Sequence, residues 1–205
     1  ICGFTIRNGR ALAGAALWIN SSIVHIDHTD IVNNTAECGS NQYTQGGGIA
    51  CYTSTLTISD FTFTNNRALC STPPVNPEGG AIYAKDSELH LIRGTLLNNY
   101  AYLGGGVCLS NCNTILQQVN FVANEAPWPG GGICAFGGGL SVMECIFREN
   151  QGEGINSMYD GWLDIQNSLF TGNTRGAITT LDQQVLTIIN STIAANGPSY
   201  NLYIS

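Results

Sequence analysis

The hydrophobic positions along the chain alternate in short runs and never settle into a helical period. Leu56-Thr-Ile58, Leu89-His-Leu91, Leu140-Ser-Val142, Leu163-Asp-Ile165 and Leu186-Thr-Ile188 each set two apolar residues around one polar residue. Alternation of this kind marks a strand with one buried face. No stretch of comparable length spaces its apolar residues as an amphipathic helix would. A second set of short runs, such as Ile49-Ala-Cys51 and Val107-Cys-Leu109, opens after glycines. A third set ends on asparagine.

That third set repeats about eight times. Its last position is Gly9 in the first copy and then Asn34, Asn66, Asn99, Asn124, Asn150, Asn173 and Asn196, spaced by 25, 32, 33, 25, 26, 23 and 23 residues. Between these lie Gly46-Gly-Gly-Ile49, Gly79-Gly-Ala-Ile82, Gly104-Gly-Gly-Val107 and Gly130-Gly-Gly-Ile133, with looser copies at Gly14, Gly152 and Arg175. Two or three strands in a unit this short fit one turn of a parallel β-solenoid, in which each coil buries its apolar face only by stacking on its neighbours. The expected inward columns are Val24, Ile26, Leu56, Ile58, Leu89, Leu91, Val142, Leu163, Ile165 and Leu186, and then Ile31, Phe63, Leu96, Phe121, Phe147, Phe170 and Ile193. Asparagine directly after a strand is expected to act as a turn residue, because it tolerates left-handed torsions and hydrogen-bonds its own kind along a ladder.

Phe-x-x-Asn alternating with Gly-Gly-Ala-Ile resembles the paired repeats of polymorphic outer-membrane-protein passengers. More broadly, the pattern is similar to right-handed parallel β-helix proteins of the pectate-lyase-like superfamily. The resemblance runs over about residues 1–197 and implies an all-β chain folded as one single-stranded right-handed parallel β-helix of about eight coils. It implies nothing firm about activity, because that superfamily holds lyases, hydrolases, adhesins and autotransporter passengers.

Length and charge narrow the setting. One β-helix domain over residues 1–205 would form a rod about 40 Å long at ~4.8 Å per coil. The chain starts in mid-repeat, and an uncapped solenoid edge seeks a partner. It is therefore expected to belong to a longer chain or a fibre, with flanking coils or other copies stacked end to end. Fourteen acidic residues against seven basic ones give a net charge of −7, a poor balance for nucleic acid. No apolar run reaches the ~20 residues that span a bilayer. Little charge with abundant Ser, Thr, Asn and Gly suits an extracellular or cell-surface rod.

Eight cysteines are many for 205 residues. Cys38 and Cys70 each follow the asparagine column by four positions, and Cys108 and Cys134 each follow the Val/Ile of the glycine motif. Stacked positions lie within disulfide range, so Cys38–Cys70 and Cys108–Cys134 bridges are expected, against the alternative of a ladder of buried thiols. A bridge would place the chain in an oxidising compartment. Paired Cys-x-x-Cys spacing is absent, and no metal site is expected. Asn20, Asn33 and Asn190 head sequons for glycosylation.

Candidate chemistry gathers at His25-Ile-Asp27-His28-Thr-Asp30. In register, Asp60 falls beneath His28 and Arg93 beneath Asp60, with Asp27 and Asp30 alongside. Carboxylates beside an arginine resemble the arrangement of calcium-dependent pectate lyases. That implies Ca²⁺ as the cofactor of a lyase-type activity on acidic glycans, and paired carboxylates also suit glycoside hydrolysis. The competing reading is ordinary cross-strand charge pairing. The insertions 37–45 and 69–78 leave the same edge, where Tyr43, Tyr100, Tyr102 and Trp128 could form an aromatic rim for a glycan or a host-surface ligand. The reading adopted is a non-catalytic extracellular structural module of the adhesin, passenger or filament type, with no cofactor. A polysaccharide lyase or hydrolase using Asp27, Asp30, Asp60, Arg93 and His28, and a carbohydrate-binding module using the rim, stand as alternatives.

Overall fold

Each coil consists of short β segments joined at corners where one residue turns left-handed. A computed structural model of the chain describes residues 1–38, 44–70, 76–182, 185–198 and 201–204. The first segments are Leu17–Asn20, Ile49–Tyr52 and Ile82–Lys85, and in later coils this face opens the longer strands Val107–Val122, Ile133–Met143 and Glu153–Gln166. Thr55–Thr64 and Glu88–Leu97 run over two faces and bend between them at Asp60 and Arg93. Every pairing between described strands is parallel, each strand meeting its counterpart in the adjacent coils. The result is an all-β parallel β-helix of about eight coils.

The inward columns lie where the alternation puts them. Ile31, Phe63, Leu96, Phe121, Phe147, Phe170 and Ile193 pair in sequence from coil to coil. All but Ile193 are fully buried. Phe121 stacks on Phe147, and Phe147 on Phe170, with ring centroids 4.6 Å apart and ring planes nearly parallel. That distance is the inter-strand spacing itself, so the aromatic ladder and the backbone ladder share one period. Ile26, Leu56, Ile58, Leu89, Leu91, Val142, Leu163 and Ile165 fill the rest of the lumen, while Val24 and Leu186 are only partly buried against it.

The asparagine column departs from expectation in one respect. The left-handed residue is the one before it, at Asn33, Asn65, Asn98, Ala123, Glu149, Gly172 and Ala195. Each ladder asparagine instead turns inward: Asn34, Asn66, Asn99, Asn124, Asn150 and Asn173 have no exposure at all. The Oδ1 of Asn99 accepts from the backbone N–H of Asn66 at 2.9 Å and from its Nδ2 at 3.0 Å, while Asn66 Nδ2 also donates to the carbonyl of Ile31 at 2.8 Å. Only a side chain with both donor and acceptor can do this at a buried corner, which explains why the column is asparagine. Serine does comparable work at another corner, where Ser54 Oγ accepts from Ser22 N–H and donates to the Tyr52 carbonyl.

Glycine recurs where coils come too close for a side chain. Gly104 sits at φ +62°, and a Cβ on Gly105 would lie 2.4 Å from the backbone oxygen of Glu125 in the next coil.

Cys38 and Cys70 form a disulfide with Cα atoms 5.0 Å apart, at the roots of the two insertions. The Cys108–Cys134 bridge does not form, and both are free thiols. They pair in register as expected, but parallel in-register strands hold their Cβ bonds side by side at a spacing wider than the ~3.8 Å a disulfide prefers. The two thiols pack instead with Tyr83 and Leu103 in a second apolar cluster outside the lumen. The hydrogen bond with the neighbouring Cys134 thiol, and then burial, hold the Cys108 thiol well above its ordinary pKa, the state of a packing residue and not of a reactive one.

Candidate functional site

The charged patch occupies a corner. His28, Asp60, Arg93, Gln118, Glu144, Asn167 and Asn190 form one column, and all have φ between 46° and 57°. A left-handed corner swings its side chain out from the sheet, so successive coils line their corner residues up along the rod. Arg93 grips Asp60 with two hydrogen bonds, Nε to Oδ1 at 2.8 Å and Nη2 to Oδ2 at 2.6 Å. This contact holds the Asp60 carboxyl below its ordinary value and Arg93 above its own. Gln118 Nε2 donates to Glu144 at 2.8 Å one step further on.

The other acids turn to separate partners. Asp27 accepts from the Ser59 hydroxyl at 2.6 Å and contacts His28 Nδ1 at 2.7 Å. The hydrogen bond from Ser59, then that from His28, lowers the Asp27 pKa, and Asp27 in turn raises that of His28. Asp30 accepts from the Thr62 hydroxyl. The structure thus brings Asp27, His28, Asp60 and Arg93 together along one corner. Asp30, Asp60, Phe61, Thr62, Arg93 and Gly94 help to line an open groove of about 370 Å³. Among the described residues, one group of metal-type ligand atoms lies mutually within 4.8 Å, namely Cys2, Asp27 and His28. Asp27, Asp30 and Asp60 do not form such a group with one another.

The aromatic rim is assembled only in part. Tyr102 and Trp128 stack with centroids 6.2 Å apart and planes 11° apart, and Trp128 is 56% exposed. Tyr100 stands apart beneath the Arg67 guanidinium, 5.1 Å from the ring centre. Tyr43 lies outside the described residues. The sequon residues Asn20, Asn33 and Asn190 are all exposed.

Two features went unread in the sequence. An open groove of about 670 Å³ lies at the corner where Ser21, Thr53, Asp86 and Asn111 turn, lined by hydroxyls with Asp86 and Glu88, and is distinct from the charged patch. A half-buried polar chain runs from the Tyr52 hydroxyl to Gln45 at 2.6 Å, and from Gln45 Nε2 to Glu78 at 2.7 Å. Burial raises the Glu78 carboxyl and pushes Tyr52 up to about 12. Glu78 closes an insertion and carries no motif, so its only sequence signal was its place just before a glycine motif.

Among the described residues, no helix is long and apolar enough to cross a membrane. Comparison with curated proteins and with solved structures finds no match. Comparison with protein families matches residues 47–204 to the right-handed β-helix region. That span covers all but the first coil and a half of the stacked columns just described, and the chain belongs to the right-handed β-helix family.

Proposed function

We propose that the chain is a non-catalytic structural module of an extracellular or cell-surface protein, working as a continuous rod over residues 1–205 within an adhesin, a passenger or a filament. The observation that carries this reading is the satisfied state of the charged patch. Asp60 and Arg93 hold each other, Asp27 is held by Ser59 and His28, and Asp30 by Thr62. Acid–base catalysis on a glycan needs two carboxylates facing across a substrate space, or a base with a free lone pair. Here each acid has its own partner, as in ordinary cross-strand pairing. The Cys38–Cys70 disulfide favours an oxidising compartment. Flanking coils or further copies are the natural partners of its end faces.

The test is incubation with uronate-rich polysaccharides, with added calcium and with chelator. The expected result is no unsaturated or hydrolysed product. Product that disappears in Asp60→Asn or Arg93→Gln would establish the lyase or hydrolase alternative instead. The stacked, exposed Tyr102–Trp128 pair supports a second reading, in which the rod also binds a glycan or a surface ligand through this rim. A glycan array that binds the native chain and loses signal with Trp128→Ala would support it.

A further inference from the structure

We infer that Cys2, Asp27 and His28 form a binding site for a divalent cation of the zinc class. The residues come from two adjacent coils: Cys2 bridges to Asp27 in the parallel ladder, laying its thiol beside that carboxylate. Asp27 Oδ2 lies 2.7 Å from His28 Nδ1 and 3.9 Å from Cys2 Sγ. Around a tetrahedral zinc, with N and O ligands at about 2.0 Å and S at about 2.3 Å, ligand atoms stand about 3.2–3.8 Å from one another. All three ligand atoms lie within 4.8 Å of one another, so side-chain rotations that move them by about an ångström bring the triad to these distances.

The surroundings hold the ligands in place. Ser59 donates to the other oxygen of Asp27, leaving Oδ2 to face the thiol and the imidazole. Thr29 donates to the Asp27 carbonyl at 2.9 Å and braces the same residue from its backbone. Supports of this kind fix ligand orientation in known metal sites. The donor set selects the metal. Calcium needs six to eight oxygens, and one carboxylate beside a thiol and an imidazole cannot supply them; sulfur with nitrogen and oxygen suits zinc. The site is open, since the His28 and Asp27 side chains are 67% and 41% exposed, and water would complete the fourth position. On binding, Cys2 releases its thiol proton to solvent, and the proton on His28 Nδ1 leaves to solvent or is replaced by one on Nε2, so that a neutral imidazole presents Nδ1 to the metal. The sequence concealed the site because Cys2 lies far from Asp27 and His28 along the chain and belongs to no spaced motif.

The test titrates the full chain with Zn²⁺ calorimetrically in a non-chelating reductant, and with Co²⁺ as an absorbing surrogate. One equivalent should bind, with a thiolate-to-cobalt charge-transfer band in the near ultraviolet. Cys2→Ser should abolish that band and, like His28→Gln, weaken zinc binding at least tenfold. Ser59→Ala should weaken it by about 10–100-fold, as loss of a supporting hydrogen bond does. Circular dichroism confirms that each variant is folded, which the surface position of the ligands favours. Absence of stoichiometric binding, a cobalt spectrum without the thiolate band, or affinity unchanged in Cys2→Ser and His28→Gln would overturn the assignment.

Discussion

Replacing Asn124 by alanine tests the ladder at its middle. The Asn124 side chain accepts from Asn99 N–H at 3.1 Å and Asn99 Nδ2 at 2.9 Å, and its Nδ2 donates to Leu96 O at 3.0 Å and Asn150 Oδ1 at 3.1 Å. Alanine removes all four bonds and strands two buried donors of Asn99. At about 1–3 kcal/mol for each unsatisfied buried group, the loss is about 2–6 kcal/mol. One water in the vacated space would trim it toward about 2–4 kcal/mol. That is a large share of the roughly 5–15 kcal/mol by which domains are stable. Urea unfolding followed by circular dichroism reads the effect directly, with Asn120→Ala as a control expected within about 0.5 kcal/mol. Asn124→Asp sharpens the test. It keeps an acceptor for Asn99 but turns an oxygen toward Asn150 Oδ1 and Leu96 O, a clash that protonation relieves. Its folded-state pKa is therefore raised, and its stability should fall as pH rises from the ordinary carboxyl range. A loss below about 1 kcal/mol for Asn124→Ala, or a pH-independent Asn124→Asp, would refute the ladder's energetic role.

Replacing Cys38 and Cys70 together by alanine opens a closure across 32 residues and should cost about 3–4 kcal/mol in the chain-entropy account; an unchanged urea midpoint would contradict it. Alkylation with mass spectrometry should label Cys2 in the native protein and reach Cys51, Cys108, Cys112, Cys134 and Cys145 only after unfolding; a Cys108–Cys134 disulfide in the mass map would show that these two thiols do pair. Burial raises the Glu78 pKa above 4.5, so the unfolded chain binds fewer protons in that window and stability falls as pH climbs through the raised value. Glu78→Gln should lose this slope and melt higher at neutral pH, and matching pH–melting curves for the two proteins would sink the argument. Sedimentation of the isolated chain tests the end faces: concentration-dependent linear assembly is expected, and a monomer at every concentration would count against it.

Much of the fold was legible because a solenoid writes its cross-section into every repeat. Alternation marked the segments around Leu56 and Leu89, and the Phe column fixed the coil-to-coil register. The charged column was legible for the same reason: once Ile26 faces inward, His28, Asp60 and Arg93 must stack. Local torsion was not legible. A left-handed corner at Arg93 or Gln118 follows from the shape of the turn and not from residue preference, and the asparagine pattern points one position beyond the residue that turns. The free state of Cys108 and Cys134 is hidden for a related reason, since shared register fixes strand spacing but not the convergence of Cβ atoms. The Gln45–Glu78 chain and the Cys2–Asp27–His28 cluster depend on side chains meeting across coils, and single-sequence patterns carry no trace of such meetings.

The asparagine ladder also gives the rod an electrical direction. From Asn34 to Asn173 each Oδ1 points back to the coil before, and one Nδ2 hydrogen points on to the coil after. The amide dipoles are therefore aligned, in a buried interior where each polarises the next. As in a helix, such a row acts like a partial negative charge toward the first coils and a partial positive charge toward the last. Two rods meeting end to end would be drawn together head to tail, whereas rods lying side by side would be favoured in opposite directions. A polar filament and an antiparallel bundle are thus the two assemblies this ladder promotes, and a parallel bundle is the one it opposes.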